Sequence, residues 1–215
     1  MSEGGGTRRP ETIHRGESLG PWRRRSRTVA YENAWIRVFH DEVTRPDGEA
    51  GVYGVVHFHG RAVGVIALDD DGRILLVGQY RYTLDRYSWE LPEGGVPEPE
   101  DLLEGAHREL AEETGYRAGS WRELVRLHLS NSVTDESGAL YVAEGLVSGE
   151  ARPDGSEELS LRWVTLDEAL ALIDDGTITD AMTQIGILRH ALERRSADAS
   201  RAGRPARMDG TGRDP

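Results

Sequence analysis

The segment Arg108-Glu109-Leu110-Ala111-Glu112-Glu113-Thr114-Gly115 places three carboxylates within five residues. At 100° per residue, Glu112 and Glu113 each fall within about 60° of Glu109 on one helical face, while Leu110 points to the core side. Three like charges on one patch repel unless a cation sits among them. Hard divalent ions such as Mg²⁺ suit that patch, because they take one or two carboxylates and leave places for water and substrate phosphates. Taken alone, the patch also reads as a solvated acidic face. What precedes the helix decides between the two.

Composition narrows the chemistry further. The 215 residues include 26 basic and 38 acidic side chains, for a formal charge of −12, which argues against a general nucleic-acid binder. Every basic residue is Arg, so a Schiff-base or P-loop lysine is excluded. There is no Cys, which removes thiolate nucleophiles, disulfides and Cys-ligated zinc and suits a reducing cytoplasm. No apolar run approaches the length of a membrane span, and the Gly- and Arg-rich start has no signal-peptide character. A cytoplasmic protein without nucleic-acid or membrane partners is expected.

The elements that must position these carboxylates are legible as follows. Alternation over Trp35 to Phe39, a Pro46-Asp47-Gly48 turn and Val52 to Phe58 predict a hairpin. Ala62 to Leu68 and Ile74 to Gln79, flanking Asp69 to Gly72, predict a second one. Ser88 to Pro92 is extended and breaks into a Gly-rich loop at Gly94-Gly95. Apolar residues at helical spacing from Leu102 to Ala111 predict a helix over Pro99 to Thr114, stopped by Gly115. Trp121 to Leu129, Ala139 to Leu146 and Leu159 to Val164 read as strands, and Leu166 to Asp174 and Asp180 to Arg194 as helices. The class is mixed α/β. One domain over residues 28–195 is expected, made of an N-terminal hairpin part (28–60) and a core (61–195). Residues 1–27 read as a flexible arm and 196–215 as a disordered tail. The 28–195 segment carries 15 Arg against 32 acids, so acid concentrates in the folded part.

Read backward from the helix, Glu100 lies eight residues before Arg108 and Gly94 six before Glu100, giving G-x5-E-x7-R-E-U-x-E-E-x-G-U closed by Tyr116. Seven fixed residue types at ordinary background frequencies coincide by chance about once in 10⁸ starts. Chance is not a competitor. The segment is similar to the signature of the Nudix hydrolases at every fixed position. That resemblance implies an α/β/α sandwich with a mixed sheet, and metal-dependent cleavage of a nucleoside diphosphate linked to another group. It implies Mg²⁺, with Mn²⁺ as an alternative, held by Glu109, Glu112, Glu113 and the backbone carbonyl of Glu93. Glu112 is also expected to take part in catalysis. Gly94, Glu100, Arg108 and Gly115 are implied as structural parts of the box. Gly94 and Gly95 are expected to permit close backbone approach.

Beyond the box, Ser130 to Glu136 followed by Ala139 to Leu146 resembles the catalytic loop of ADP-ribose pyrophosphatases, which implies Glu136 as the base on a flexible loop. Asn131 stands where that subgroup has Pro, so other nucleoside diphosphate sugars stay open as substrates. Trp35 and Tyr53 resemble the aromatics that sandwich a nucleobase across a homodimer built through the N-terminal sheet. Arg81 would face phosphate, and Glu90 either ribose hydroxyls or a structural partner. Nucleoside triphosphate hydrolysis and a non-catalytic sensor are the alternatives. The intact box counts against the second. His57 and His59 alternate on one strand and read as a strand-face pair rather than a zinc site.

Overall fold

The computed structural model describes residues 12–151 and 158–202. Its chain order opens with β1 (Thr12–Leu19), β2 (Trp22–Glu32), β3 (Ile36–Thr44) and β4 (Ala50–Phe58), which form one antiparallel sheet in that order. Then come β5 (Gly60–Ala67), β6 (Ile74–Arg81), β7 (Arg86–Glu90), β8 (Glu93–Pro97) and α1 (Leu102–Thr114). The chain continues through β9 (Tyr116–His128), β10 (Ser137–Ser148), β11 (Ser160–Val164), α2 (Leu166–Asp174) and α3 (Ala181–Ala202). A mixed sheet runs β8-β5-β10-β9, with β5 and β10 parallel, and a smaller one runs β11-β6-β7.

Period-two alternation along β5 splits the core. Val63, Val65 and Ala67 pack on one face against Leu102, Ala106 and Leu110 of α1, while Ile66 packs on the other face with Met182 and Ile187 of α3 and Ala169 of α2. Helices thus cover both faces of the central strands, as the α/β/α expectation requires. At the end of α1, Gly115 takes φ 75° and its N–H donates to the Ala111 carbonyl at 3.0 Å. Its left-handed backbone supplies the predicted stop.

Several expectations are corrected. Residues 12–27, expected in a flexible arm, belong to β1 and β2, so the N-terminal sheet has four strands rather than a single hairpin. A run of Arg side chains hid these strands, and Arg24 and Arg27 are drawn inward by Asp41: Arg27 donates to both of its oxygens at 2.7 Å. Residues 196–202, expected in the disordered tail, continue α3. The remainder of both expected arms, 1–11 and 203–215, lies outside the described residues. The β5–β6 turn exists, yet β5 and β6 belong to different sheets and are joined only by a Leu68–Ile74 bridge. Here the parallel pairing of β5 with β10 overrides the local turn. The Gly-rich loop is strand β8, antiparallel to β5.

Candidate active site

Building from the box upward, α1 carries Glu109 and Glu113 toward β8. The two elements meet at Gly94, where an added Cβ would stand 2.2–2.4 Å from the carboxylate atoms of Glu109. A side chain there would push the Glu109 carboxylate out of its place. One residue earlier, the Glu93 N–H donates to Glu113 Oε2 at 3.2 Å. The backbone of residues 93–94 and two box carboxylates thus enclose one small volume, lined with oxygen donors and free of soft ligands. Those residues fit a hard divalent cation. A Cβ on Gly95 would meet nothing within 4 Å, so of the two expected close approaches only that of Gly94 is realised.

Arg108 holds this geometry. Its guanidinium donates to both Glu100 oxygens at 3.0 Å and to the Gly95 carbonyl at 2.8 Å, which ties the box loop to α1. The remaining Nη1 donates to Glu109 at 2.7 Å and to Glu112 at 3.1 Å. Glu112 therefore leans onto Arg108 and keeps 46% of its side-chain surface exposed, while Glu113 is buried. Removing Arg108 would leave five acceptor oxygens short of their donor. Arg108→Ala is expected to destabilise the fold by about 1–2 kcal/mol after allowing for its partial exposure, a drop of about 2–8 °C in Tm read by thermal melting.

These elements open on a cavity of about 1010 Å³ whose wall includes Trp35, Arg81, Glu93, Glu109, Glu113 and Glu136. Glu136 is half-buried, and its carboxyl is pushed above the ordinary range first by burial, then by the charges of Asp135 and Asp180. Its loop is hydrogen-bonded to β4. Val56 N–H donates to the Val133 carbonyl at 2.9 Å, and Asp135 takes the Phe58 N–H at 3.1 Å and faces His57 Nδ1 at 2.5 Å. His57 thus serves the loop, and it meets His59 edge-to-face at 5.6 Å.

Trp35 is 74% exposed beside the cavity, but Tyr53 does not line it. The Tyr53 hydroxyl donates to the Ser132 carbonyl at 2.6 Å, and its ring meets the edge of Trp22 at 5.5 Å. A single chain does not bring the two expected aromatics together. Glu90 is 2% exposed and accepts both Nε and Nη2 of Arg81, which realises the structural-partner alternative and keeps it off the cavity wall. Arg81 does reach the wall and also donates to Glu93 Oε1 at 3.1 Å.

Sequence reasoning missed Asp180 and the Glu93 side chain. Among the described residues, the three carboxylates close enough to share one ion are Glu90, Glu93 and Asp180, with ligand atoms within 4.8 Å of one another, rather than the box trio, two of whose members Arg108 takes. Burial, first of all, and the charges of Asp180 and Glu90 hold the Glu93 carboxyl well above the usual range. Asp180 caps α3 by accepting the Thr183 N–H at 2.7 Å, and Thr183 Oγ1 in turn accepts the Leu91 N–H at 3.0 Å. The only local signal was an Asp ahead of a helix, which reads as a cap.

The box and the fold around it have counterparts among known proteins. Residues 58–183 match the NUDIX domain model and 22–56 the model described as nucleoside diphosphate sugar hydrolase N-terminal domain. The chain is 33% identical over 169 residues, 78% of this chain and 81% of the relative, to a CMP-5'-(N-acetyl-N-hydroxy-3-aminopropyl)phosphonate hydrolase of Streptomyces rubellomurinus. It is 37% identical over 169 residues to an ADP-ribose pyrophosphatase of Mycobacterium tuberculosis, covering 76% of this chain and 80% of the relative. A crystal structure of an ADP compounds hydrolase has the same fold, with a TM-score of 0.73 at 18% identity over 90% of this chain and 98% of that one. No helix among the described residues is long and apolar enough to cross a membrane. With an intact box folded around one cavity and a family model spanning more than half its length, the chain belongs to the NUDIX family of hydrolases.

Proposed function

We propose that this enzyme hydrolyses the pyrophosphate bond of ADP-ribose or a related nucleoside diphosphate sugar, releasing a nucleoside monophosphate and a sugar phosphate. The observation that carries the reading is one cavity wall shared by an exposed indole, Trp35, and the box carboxylates Glu109 and Glu113. A base can stack at one part of that wall while a diphosphate lies at the other. The named relatives and the N-terminal domain model support the same substrate class.

In this reading Glu109, Glu113 and the backbone of Glu93 hold the divalent ions, Mg²⁺ first and Mn²⁺ as an alternative, with Glu112 at their margin. When bound, these ions polarise phosphoryl oxygens and neutralise charge on the leaving phosphate. Glu136 receives the proton of the attacking water, because its raised affinity for protons suits a base. Arg81 faces the phosphates from β6. A cytoplasmic homodimer belongs to the same proposal, supported by the exposed Tyr31, Trp35 and Val52 of the N-terminal part and by the resemblance of Trp35 and Tyr53 to paired aromatics.

The test is a substrate panel with Mg²⁺: ADP-ribose, ADP-glucose, GDP-mannose, UDP-glucose, a cytidylyl phosphonate and nucleoside triphosphates, with products identified by mass. AMP and ribose 5-phosphate from ADP-ribose are expected. Cleavage of triphosphates alone would overturn the reading. Trp35→Ala is expected to raise KM for nucleoside diphosphate sugars by about 5- to 150-fold, the equivalent of about 1 to 3 kcal/mol of base stacking, with kcat retained. An unchanged KM in a well-folded variant would make Trp35 a packing residue only.

A further inference from the structure

We propose that Glu93 and Asp180 form a specificity wall that takes the hydroxyl groups of the sugar attached to the distal phosphate; this deepens the substrate reading above and rests on it. The β5–β8 ladder sets the scale. Gly60 lies opposite Pro97 and Gly64 opposite Glu93, so the two ends are separated by four residues, about 13 Å in an extended strand. Trp35 belongs to the first end, since its carbonyl accepts the His59 N–H at 3.0 Å. Gly94, where Glu109 closes in, lies next to the second end. A base stacked at Trp35 and a diphosphate at Gly94 leave the group beyond the distal phosphate against Glu93, Gln79, Asp180 and Met182.

That part of the wall holds more acceptors than donors, the Gln79 amide and Arg81 both being directed at Glu90. Arg81 takes both oxygens of Glu90 and Oε1 of Glu93. Glu93 Oε2 is buried and makes no hydrogen bond. Asp180 uses Oδ2 to cap α3, and the carboxylates of Glu90, Glu93 and Asp180 approach within 4.8 Å of one another. A buried acceptor without a donor is unfavourable, and a ligand that carries O–H groups relieves it. The terminal torsion of a glutamate is soft, so a small turn of the Glu93 carboxylate brings Oε2 to the cavity surface. A further phosphate would bring negative charge and no donors to the same wall. The arrangement therefore selects vicinal hydroxyls and rejects a third phosphate.

The experiment compares kcat/KM for ADP-ribose with that for the β-methyl ester of ADP, which keeps the nucleotide and lacks the sugar. Asp180→Ser keeps a hydroxyl able to cap α3 but withdraws the carboxylate, and Asp180→Asn keeps both cap and shape if the serine variant fails to fold. Glu93→Gln tests the other half of the wall while leaving its backbone in place. Each variant is expected to reduce the ADP-ribose to methyl-ester ratio by about tenfold or more, the scale of one charge-assisted hydrogen bond. A ratio within twofold of wild type in variants that melt like wild type overturns the inference. Wild-type protein that cleaves both compounds without preference overturns it alone. Cleavage of neither compound, nor of any other nucleoside diphosphate sugar in the panel, overturns the substrate reading and the inference together.

Discussion

Glu113→Gln is expected to lower kcat by about 100-fold or more in saturating Mg²⁺, and Glu109→Gln by a similar factor. Each change removes one negative charge from the volume between α1 and residues 93–94 while preserving side-chain size. The fold should survive. The amide oxygen of a glutamine at 113 can still accept the Glu93 N–H, so melting temperatures should stay close to wild type. Glu112→Gln should be milder, because Glu112 is half exposed and already leans onto Arg108. Near-normal turnover of Glu113→Gln would remove this cluster from the reaction.

Glu136→Gln is expected to lower kcat by about 10² to 10⁴, the range of general acid–base catalysis, with little change in KM. A base that acts in the transition state changes the rate and leaves ground-state binding intact. The sign of the pH effect follows from burial and from the charges of Asp135 and Asp180, which raise the proton affinity of Glu136. A base must be ionised to work, so activity falls as pH drops through that raised pKa, and the acid limb lies above the ordinary carboxylate range. Cations entering the same cavity act in the opposite direction, so the limb should move to lower pH as Mg²⁺ is raised from limiting to saturating. The variant should lose the limb. A loss confined to KM, with the rate and the limb intact, would make Glu136 a positioning residue.

How much of this was readable in advance depended on the distance between partners along the chain. The box residues lie within 23 positions of one another, so their spacing survives in the sequence as a pattern, and Glu100 with Arg108 could be paired from it. Central helix and late strands were legible for the same reason: their apolar periodicity is local. Asp180 meets Glu93 across 87 positions, and His57 meets Asp135 across 78, so neither contact leaves a local trace. The β5–β6 turn misled because its Asp69-to-Gly72 signal is real while the pairing of β5 is decided elsewhere, by β10. The strands over residues 12–27 were hidden by their arginines, whose burial makes sense only once Asp41 is known to stand opposite.

The seam between β4 and the loop that carries Glu136 has an evolutionary consequence. Val56, His57 and Phe58 sit at the close of the N-terminal sheet, yet they fix the segment that ends in Glu136, the proposed base. Drift in that sheet, whatever its cause, is transmitted to the position of the Glu136 carboxylate. Recombination that grafts a foreign first sheet onto this core would exchange the mooring of the base as well, even with every box residue left intact. Lineages of such enzymes should therefore change their first sheet and their catalytic loop in concert, as one inherited unit rather than two.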